Sequence, residues 1–157
     1  MNANAHPTPE WQVAQWFNAI APLTLASLHG RVVLLEAFQM LCPGCVAHAL
    51  PQAQRVRQLF PEERLAVVGL HSVFEHHAAM TPVALHAFLH EYRLTFPVGV
   101  DRPSPDGPLP MTMQAYGMRG TPTLLLFDRA GRLRQHLFGQ VEDLALGAHL
   151  AMLLAEA

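Results

Sequence analysis

The chain has 157 residues, of which 51% are hydrophobic and 14% charged, with ten Lys and Arg against twelve Asp and Glu. This length predicts a single domain, residues 1–157, whose core is large enough to fold without disulfide staples. The balance of charge provides no basic stripe, which argues against nucleic acid as a partner. The apolar stretches are too short to span a bilayer, which argues against a membrane partner as well.

The N-terminal sequence MNANAHPTPEW lacks the basic and apolar regions of a secretory signal, so we expect a cytoplasmic protein. Only two cysteines occur, Cys42 and Cys45. In a reducing compartment such a pair is more often catalytic or metal-binding than structural.

Predicted helices and strands alternate along the chain. Thr8 as N-cap and Pro9 at the first helical position predict a helix that ends near Ile20. Continuous apolar runs predict buried strands at residues 32–38, 65–70 and 123–127, with a further strand at 96–100 and a hairpin partner at 132–138. Helical patterns fill residues 43–60, 82–92, 111–116 and 141–154. This order predicts an α/β fold with a central mixed sheet flanked by helices.

The segment Cys42-Pro43-Gly44-Cys45 follows the first buried strand and opens a helix. With Cys42 as N-cap and Pro43 at the first helical position, the amides of Gly44 and Cys45 point at the Cys42 sulfur. These donors and the helix dipole favour the thiolate and lower its pKa, which predicts a nucleophile at Cys42. Cys45 lies on the same helical face, where its sulfur can attack a mixed disulfide.

The spacing of the two cysteines also fits other interpretations. One interpretation is that the two cysteines are ordinary buried thiols. Another is that they form part of a zinc site, to which His48 adds a third ligand at the same three-residue spacing. No second cysteine pair closes the ligand shell of such a zinc site. His86 and His90, four residues apart on a predicted helix, would supply only two ligands to a metal. We therefore expect neither a metal nor another cofactor.

A second motif decides between these interpretations. The run Gly120-Thr121-Pro122-Thr123 before an apolar strand, combined with the cysteine pair, resembles the thioredoxin superfamily over about residues 22–155. The extra segment between residues 71 and 100 is similar to the TlpA-type and AhpC/TSA-type branches. The resemblance implies a thioredoxin-like fold with an N-terminal extension and a helix–strand insertion.

The resemblance also implies roles for site residues. Pro122 is implied to be a cis proline that holds Thr121 in position to pair with an extended substrate, beside Pro43 and Gly44. Glu36 stands six residues before Cys42, where thioredoxins carry a buried acid, which implies that it accepts a proton from Cys45.

Four departures from thioredoxin are visible. The dipeptide between the cysteines is Pro-Gly instead of Gly-Pro, and Leu41 replaces the usual tryptophan. Pro51 falls one residue later than the helix-kinking proline of the family, which predicts an offset or bulge in that helix. Gly69 stands where thioredoxins commonly carry a lysine beside the buried acid.

The resemblance implies a thiol–disulfide oxidoreductase that reduces protein or small disulfides and is recycled by a thiol reductant or reductase. One alternative is a peroxiredoxin-like peroxidase, but its Pro-x-x-x-Thr-x-x-Cys signature is absent, with Gln39 in place of the threonine. The other alternative is a non-enzymatic metal-handling module of the Sco type. Sco proteins use CxxxC, whereas this chain has CxxC.

Overall fold

A computed structural model describes residues 7–156, which form one six-stranded mixed sheet. The strands are, in chain order, β1 (Val13–Phe17), β2 (Val32–Phe38), β3 (Leu65–His71), β4 (Val98–Asp101), β5 (Thr123–Phe127) and β6 (Leu133–Phe138). Their order across the sheet is β1-β4-β3-β2-β5-β6. Strands β4, β3 and β2 run parallel to one another, and β1, β5 and β6 pair antiparallel to their neighbours. The predicted thioredoxin-like architecture is confirmed.

The strands predicted from continuous apolar runs lie at the centre of the sheet. Every residue of β2, β3 and β5 is buried, because helical layers cover both faces. β5 follows the prediction residue for residue, and so does its antiparallel hairpin with β6, apart from one residue at the start of β6.

Four helices flank the sheet: α1 (Leu50–Leu59), α2 (Pro82–Glu91), α3 (Met111–Ala115) and α4 (Asp143–Ala155). α1, α2 and α4 contribute to the core on one face. α3 and a short 3-10 helix, Ala26–Leu28, cover the other face together with Trp11. Thr81 caps α2 as predicted, because its hydroxyl accepts a hydrogen bond from the backbone N–H of Ala84.

The predicted N-terminal helix is wrong. Residues Val13–Phe17 form β1, which pairs antiparallel with β4 at the edge of the sheet. Val13 and Trp16 pack over Gly99, where a side chain would meet them at 3.0 Å and 3.3 Å. Pairing with the edge of β4 and packing over Gly99 stabilise the strand more than the capping residues Thr8 and Pro9 stabilise a helix. Val, Trp and Phe are also common in strands.

The helix that follows Cys42 contains an irregular turn. It begins at Pro43, passes through a π-helical turn at Cys45–Ala49 and continues as α1. Within the turn the backbone N–H of Leu50 donates to the Cys45 carbonyl, five residues back. The π-turn ends at Ala49, two residues before Pro51, so the bulge predicted from that proline is present.

This topology places the start of the helix at the carboxyl end of the central strand β2, which is where open α/β sheets bind ligands. None of the helices within residues 7–156 has the length and apolar character needed to cross a membrane. Residues 1–6, on which part of the expected localisation rests, lie outside the described residues, as does residue 157.

Candidate active site

The two cysteines form a disulfide at the helix start. Cys42 and Cys45 are bonded to each other, with Cα atoms 5.2 Å apart, inside the range that unstrained disulfides show. The predicted intramolecular pairing is therefore present, and among the described residues no other cysteine competes for either sulfur.

The two sulfurs have different environments. The backbone N–H of Cys45 points at Cys42 Sγ over 3.2 Å, which is the N-cap contact expected from the sequence. Cys42 is partly exposed, whereas Cys45 is fully buried in the main core cluster. Once the bond is reduced, an amide donor and the end of a helix dipole stabilise negative charge on Cys42.

We expect alkylation of the reduced protein at about pH 7 to modify Cys42 at least about tenfold faster than Cys45, because only Cys42 combines exposure with thiolate stabilisation. Peptide mapping after short exposure to a thiol reagent measures both rates. Equal rates at the two cysteines would contradict this assignment.

The loop before β5 closes over the disulfide. The carbonyl oxygen of Thr121 lies 3.5 Å from Cys42 Sγ, and the Thr121–Pro122 peptide bond is cis. A Cβ added to Gly44 would lie 3.5 Å from Pro122, so the glycine packs directly against the proline ring. The backbone N–H of Gly139, at the end of β6, donates to the Pro122 carbonyl and ties the loop to the sheet.

Glu36 lies in the middle of β2, between Gly69 of β3 and Leu124 of β5, with 2% of its surface exposed. Burial raises the pKa of its carboxyl well above the ordinary value. No group within residues 7–156 donates a hydrogen bond that would offset this effect. A carboxyl with a raised pKa holds its proton to a higher pH than an exposed one, which suits it to exchange a proton with a thiol.

Gly69 leaves no room for the lysine found in thioredoxins. A Cβ at this position would lie 3.0 Å from Val98, 3.1 Å from Phe96 and 3.3 Å from Phe38. Apolar side chains thus occupy the space beside Glu36, and the carboxyl has no cationic neighbour on β3.

A polar cavity of about 270 Å³ reaches Glu36 from the surface. Its walls come from the π-turn and α1 on one side and from residues 139–143 on the other. The amide of Gln52 bridges these walls, since it donates to the Val141 carbonyl at 2.7 Å and to Asp143 at 2.8 Å. The buried acid is therefore close to solvent although its own side chain is almost fully covered.

Two buried polar residues, to which the sequence assigned no role in the site, hold the segment before Cys42. His71 ends β3 and accepts a hydrogen bond from the backbone N–H of Met40. Gln39 accepts one from the backbone N–H of Phe74 at 3.1 Å. Polar residues at the ends of apolar strands are the sequence signal for such anchors, but the same pattern also describes solvated strand ends.

Two further side chains, Arg119 and His86, make contacts that do not involve the disulfide. Arg119 is exposed and stacks over Phe138, with the guanidinium 5.0 Å from the ring centre. His86 stacks on Phe17 of β1. No group of three or more His, Cys, Asp or Glu within residues 7–156 is arranged to hold a metal ion.

Known structures share this arrangement over almost the whole chain. A crystal structure of a thioredoxin-like superfamily protein has 64% sequence identity and a TM-score of 0.94, with 96% of this chain and 97% of that chain covered. The chain belongs to the thioredoxin-like superfamily. A thiol-disulfide isomerase from Corynebacterium glutamicum has 49% identity and a TM-score of 0.93 over the same shares. No family model matches this thioredoxin-like chain.

Curated relatives are more distant. The thiol-disulfide oxidoreductase ResA of Bacillus anthracis is 24% identical over 118 residues, which cover 75% of this thioredoxin-like chain and 61% of ResA. Protein DipZ of Mycobacterium tuberculosis is 26% identical over 130 residues, which cover 82% of this chain but 18% of DipZ. The chain thus spans about three fifths of ResA and less than a fifth of DipZ.

Proposed function

We propose that this protein reduces disulfides in protein substrates through its Cys-Pro-Gly-Cys segment. Its class, a thioredoxin-like thiol–disulfide oxidoreductase, is supported by the named relatives and by the bonded cysteine pair. The observation that carries the proposal is the partly exposed Cys42, whose sulfur faces the Cys45 amide on one side and the Thr121 carbonyl on the other.

The proposed reaction has two exchange steps. The Cys42 thiolate attacks one sulfur of the substrate disulfide, forms a mixed disulfide and expels the other substrate sulfur as a thiolate. The Cys45 thiol loses its proton to the Glu36 carboxylate and attacks Cys42 Sγ, which expels the second substrate thiolate. The protein gives up two electrons and ends with the Cys42–Cys45 disulfide, while the single proton that Cys45 carried is held by Glu36.

The surface around Cys42 supports an extended polypeptide as substrate. The Thr121 backbone lies beside the sulfur, on a loop tied to the sheet, so a substrate strand can pair with it in the manner of β-augmentation. Pro43 and Leu41 are exposed next to it and offer apolar contacts to side chains flanking the substrate cysteine.

Electron flow towards substrate requires a reduced pair. In a cytoplasmic glutathione pool a dithiol with a potential near that of thioredoxin is mostly reduced. We therefore include cytoplasmic localisation and a thiol reductant or reductase as the electron source in the proposal.

Trapping tests the proposed order of attack. Reduced Cys45→Ser should form a stable mixed disulfide between Cys42 and an insulin cysteine when the variant is mixed with disulfide-bonded insulin, because the resolving thiol is gone. Non-reducing electrophoresis and mass spectrometry identify the adduct. Cys42→Ser is the matched control and should form little adduct, since its remaining thiol is buried. Adducts mainly in the control would overturn the proposed roles.

A further inference from the structure

The cavity beside Glu36 is lined by polar and charged residues. Glu36 is a carboxyl with 2% of its surface exposed and no hydrogen-bond donor within the described residues, and it lines a cavity of about 270 Å³. A volume of this size holds several water molecules, each of which needs polar partners. The Gln52 amide and the cavity-lining segment at residues 139–143 provide polar partners. The cavity is thus suited to a water chain that ends on the buried acid.

A proton must pass through this cavity in every catalytic cycle of the proposed reaction, on which this inference rests. Glu36 takes one proton from Cys45 and has to release it before the next resolving step. A buried acid with a raised pKa releases its proton to bare water slowly, so a nearby base speeds the release.

Four other titratable or charged groups line the cavity. Arg55 is a permanent cation that is paired with Asp143 at 3.0 Å. Hydrogen bonds from Gln52 and Arg55 hold the pKa of Asp143 below its usual value, so this carboxylate is a poor proton acceptor near neutrality. Glu142 and His48 remain, and both are exposed.

Of these two side-chain types, imidazole is the one that both accepts and releases a proton near neutral pH. His48 also has the more direct position, because it belongs to the π-turn that begins at Cys45. It therefore lies on the same short segment as the thiol whose proton Glu36 receives.

We propose that His48 is the base that passes protons between Glu36 and bulk solvent through the water-filled cavity. The proton moves from Cys45 Sγ to the Glu36 carboxylate, then over cavity water to the His48 imidazole, and finally to buffer. No electrons move along this path, and the imidazole returns to its neutral form after each cycle.

The test separates the two exchange steps with an aromatic disulfide that releases one coloured thiolate when Cys42 attacks and a second when Cys45 resolves. The reduced protein is held at acidic pH, so that Glu36 starts protonated and has to lose its proton before Cys45 can resolve, and is then mixed with the disulfide in neutral dilute buffer without imidazole. Under these conditions His48→Gln should slow the second release about tenfold and leave the first unchanged. Added imidazole should restore the second release towards the wild-type rate, since it replaces the missing base. The wild-type rate should not depend on imidazole.

His90→Gln is the matched control, because this histidine is exposed on α2 and does not line the cavity. It should behave as the wild type in both steps. A His48→Gln rate that is normal, or one that is slow but not rescued by imidazole, would overturn the inference. A slow step rescued by imidazole in Glu142→Gln, with His48→Gln normal, would assign the role to Glu142 and overturn it as well.

The outcome for Glu36→Leu separates this inference from the proposed function. A slow second release in Glu36→Leu beside a normal one in His48→Gln overturns only the His48 relay. Failure of Cys42 to release the first thiolate in the wild-type protein would instead overturn the proposed function itself.

Discussion

Replacement of Glu36 by leucine should slow the resolving step about 100-fold or more, the usual contribution of a positioned general base. The first attack should keep its rate, because the thiolate at Cys42 depends on the Cys45 amide and the helix start and not on Glu36. Mixed disulfides should therefore accumulate during turnover. Stopped-flow measurement of the two thiolate releases resolves both steps.

The same substitution should make the folded protein more stable. An unpartnered polar group that is buried costs about 1–3 kcal/mol in mutational studies, and leucine removes that cost. The pKa of Glu36 is raised by folding, so the folded state binds more protons than the unfolded state above the ordinary value of 4.5. The wild type thus loses stability as pH rises through this window, and the gain from Glu36→Leu should grow with pH.

Glu36→Gln serves as the companion variant because it keeps the polar shape without a titratable proton. It should share the slow resolving step but not the full gain in stability. Wild-type turnover in Glu36→Leu between about pH 6 and 9 would assign Glu36 a packing role only, since general-base catalysis depends on the protonation state of the base. Urea unfolding at several pH values gives the stability half of the comparison.

Acidification should destabilise the protein through His71. Burial lowers the pKa of this histidine from 6.5 to about 4, because only 1% of the residue is exposed. Between these two values the unfolded state binds a proton that the folded state does not. The stability contributed by neutral His71 is therefore complete above about pH 6.5 and is lost as pH falls towards 4, by at most about 3 kcal/mol.

His71→Gln isolates this contribution. The glutamine retains an acceptor for the Met40 N–H and has no titratable ring, so its stability should vary less over the same pH window. His90→Gln should follow the wild-type curve, because that residue is exposed. Equal pH dependence in His71→Gln and the wild type would show that other groups carry the acid sensitivity.

The sequence was sufficient for the elements that are decided by local pattern. β2 and β5 are continuous apolar runs, and both were predicted to the residue. The pairing of Cys42 with Cys45 likewise follows from spacing and helix geometry. β1 was mispredicted as a helix because its conformation depends on pairing with β4, which lies more than 80 residues away in the chain.

The site was predicted only in part for a similar reason. Glu36 was placed by the resemblance to thioredoxins, but one wall of the cavity that reaches it is formed by residues 139–143, whose position no local pattern reveals. The anchoring contacts of Gln39 and His71 were missed because each joins segments about 30 residues apart.

The π-helical turn at Cys45–Ala49 affects how the sequence is aligned with those of thioredoxins. Such a turn accommodates one more residue than an α-helical turn while the helix on either side keeps its course. Pro51 stands one residue later than in thioredoxins, which is the displacement that a single inserted codon produces. A gap placed within this turn therefore brings Pro51 into register with the helix-kinking proline of thioredoxins, whereas an alignment without a gap leaves the two prolines one position apart.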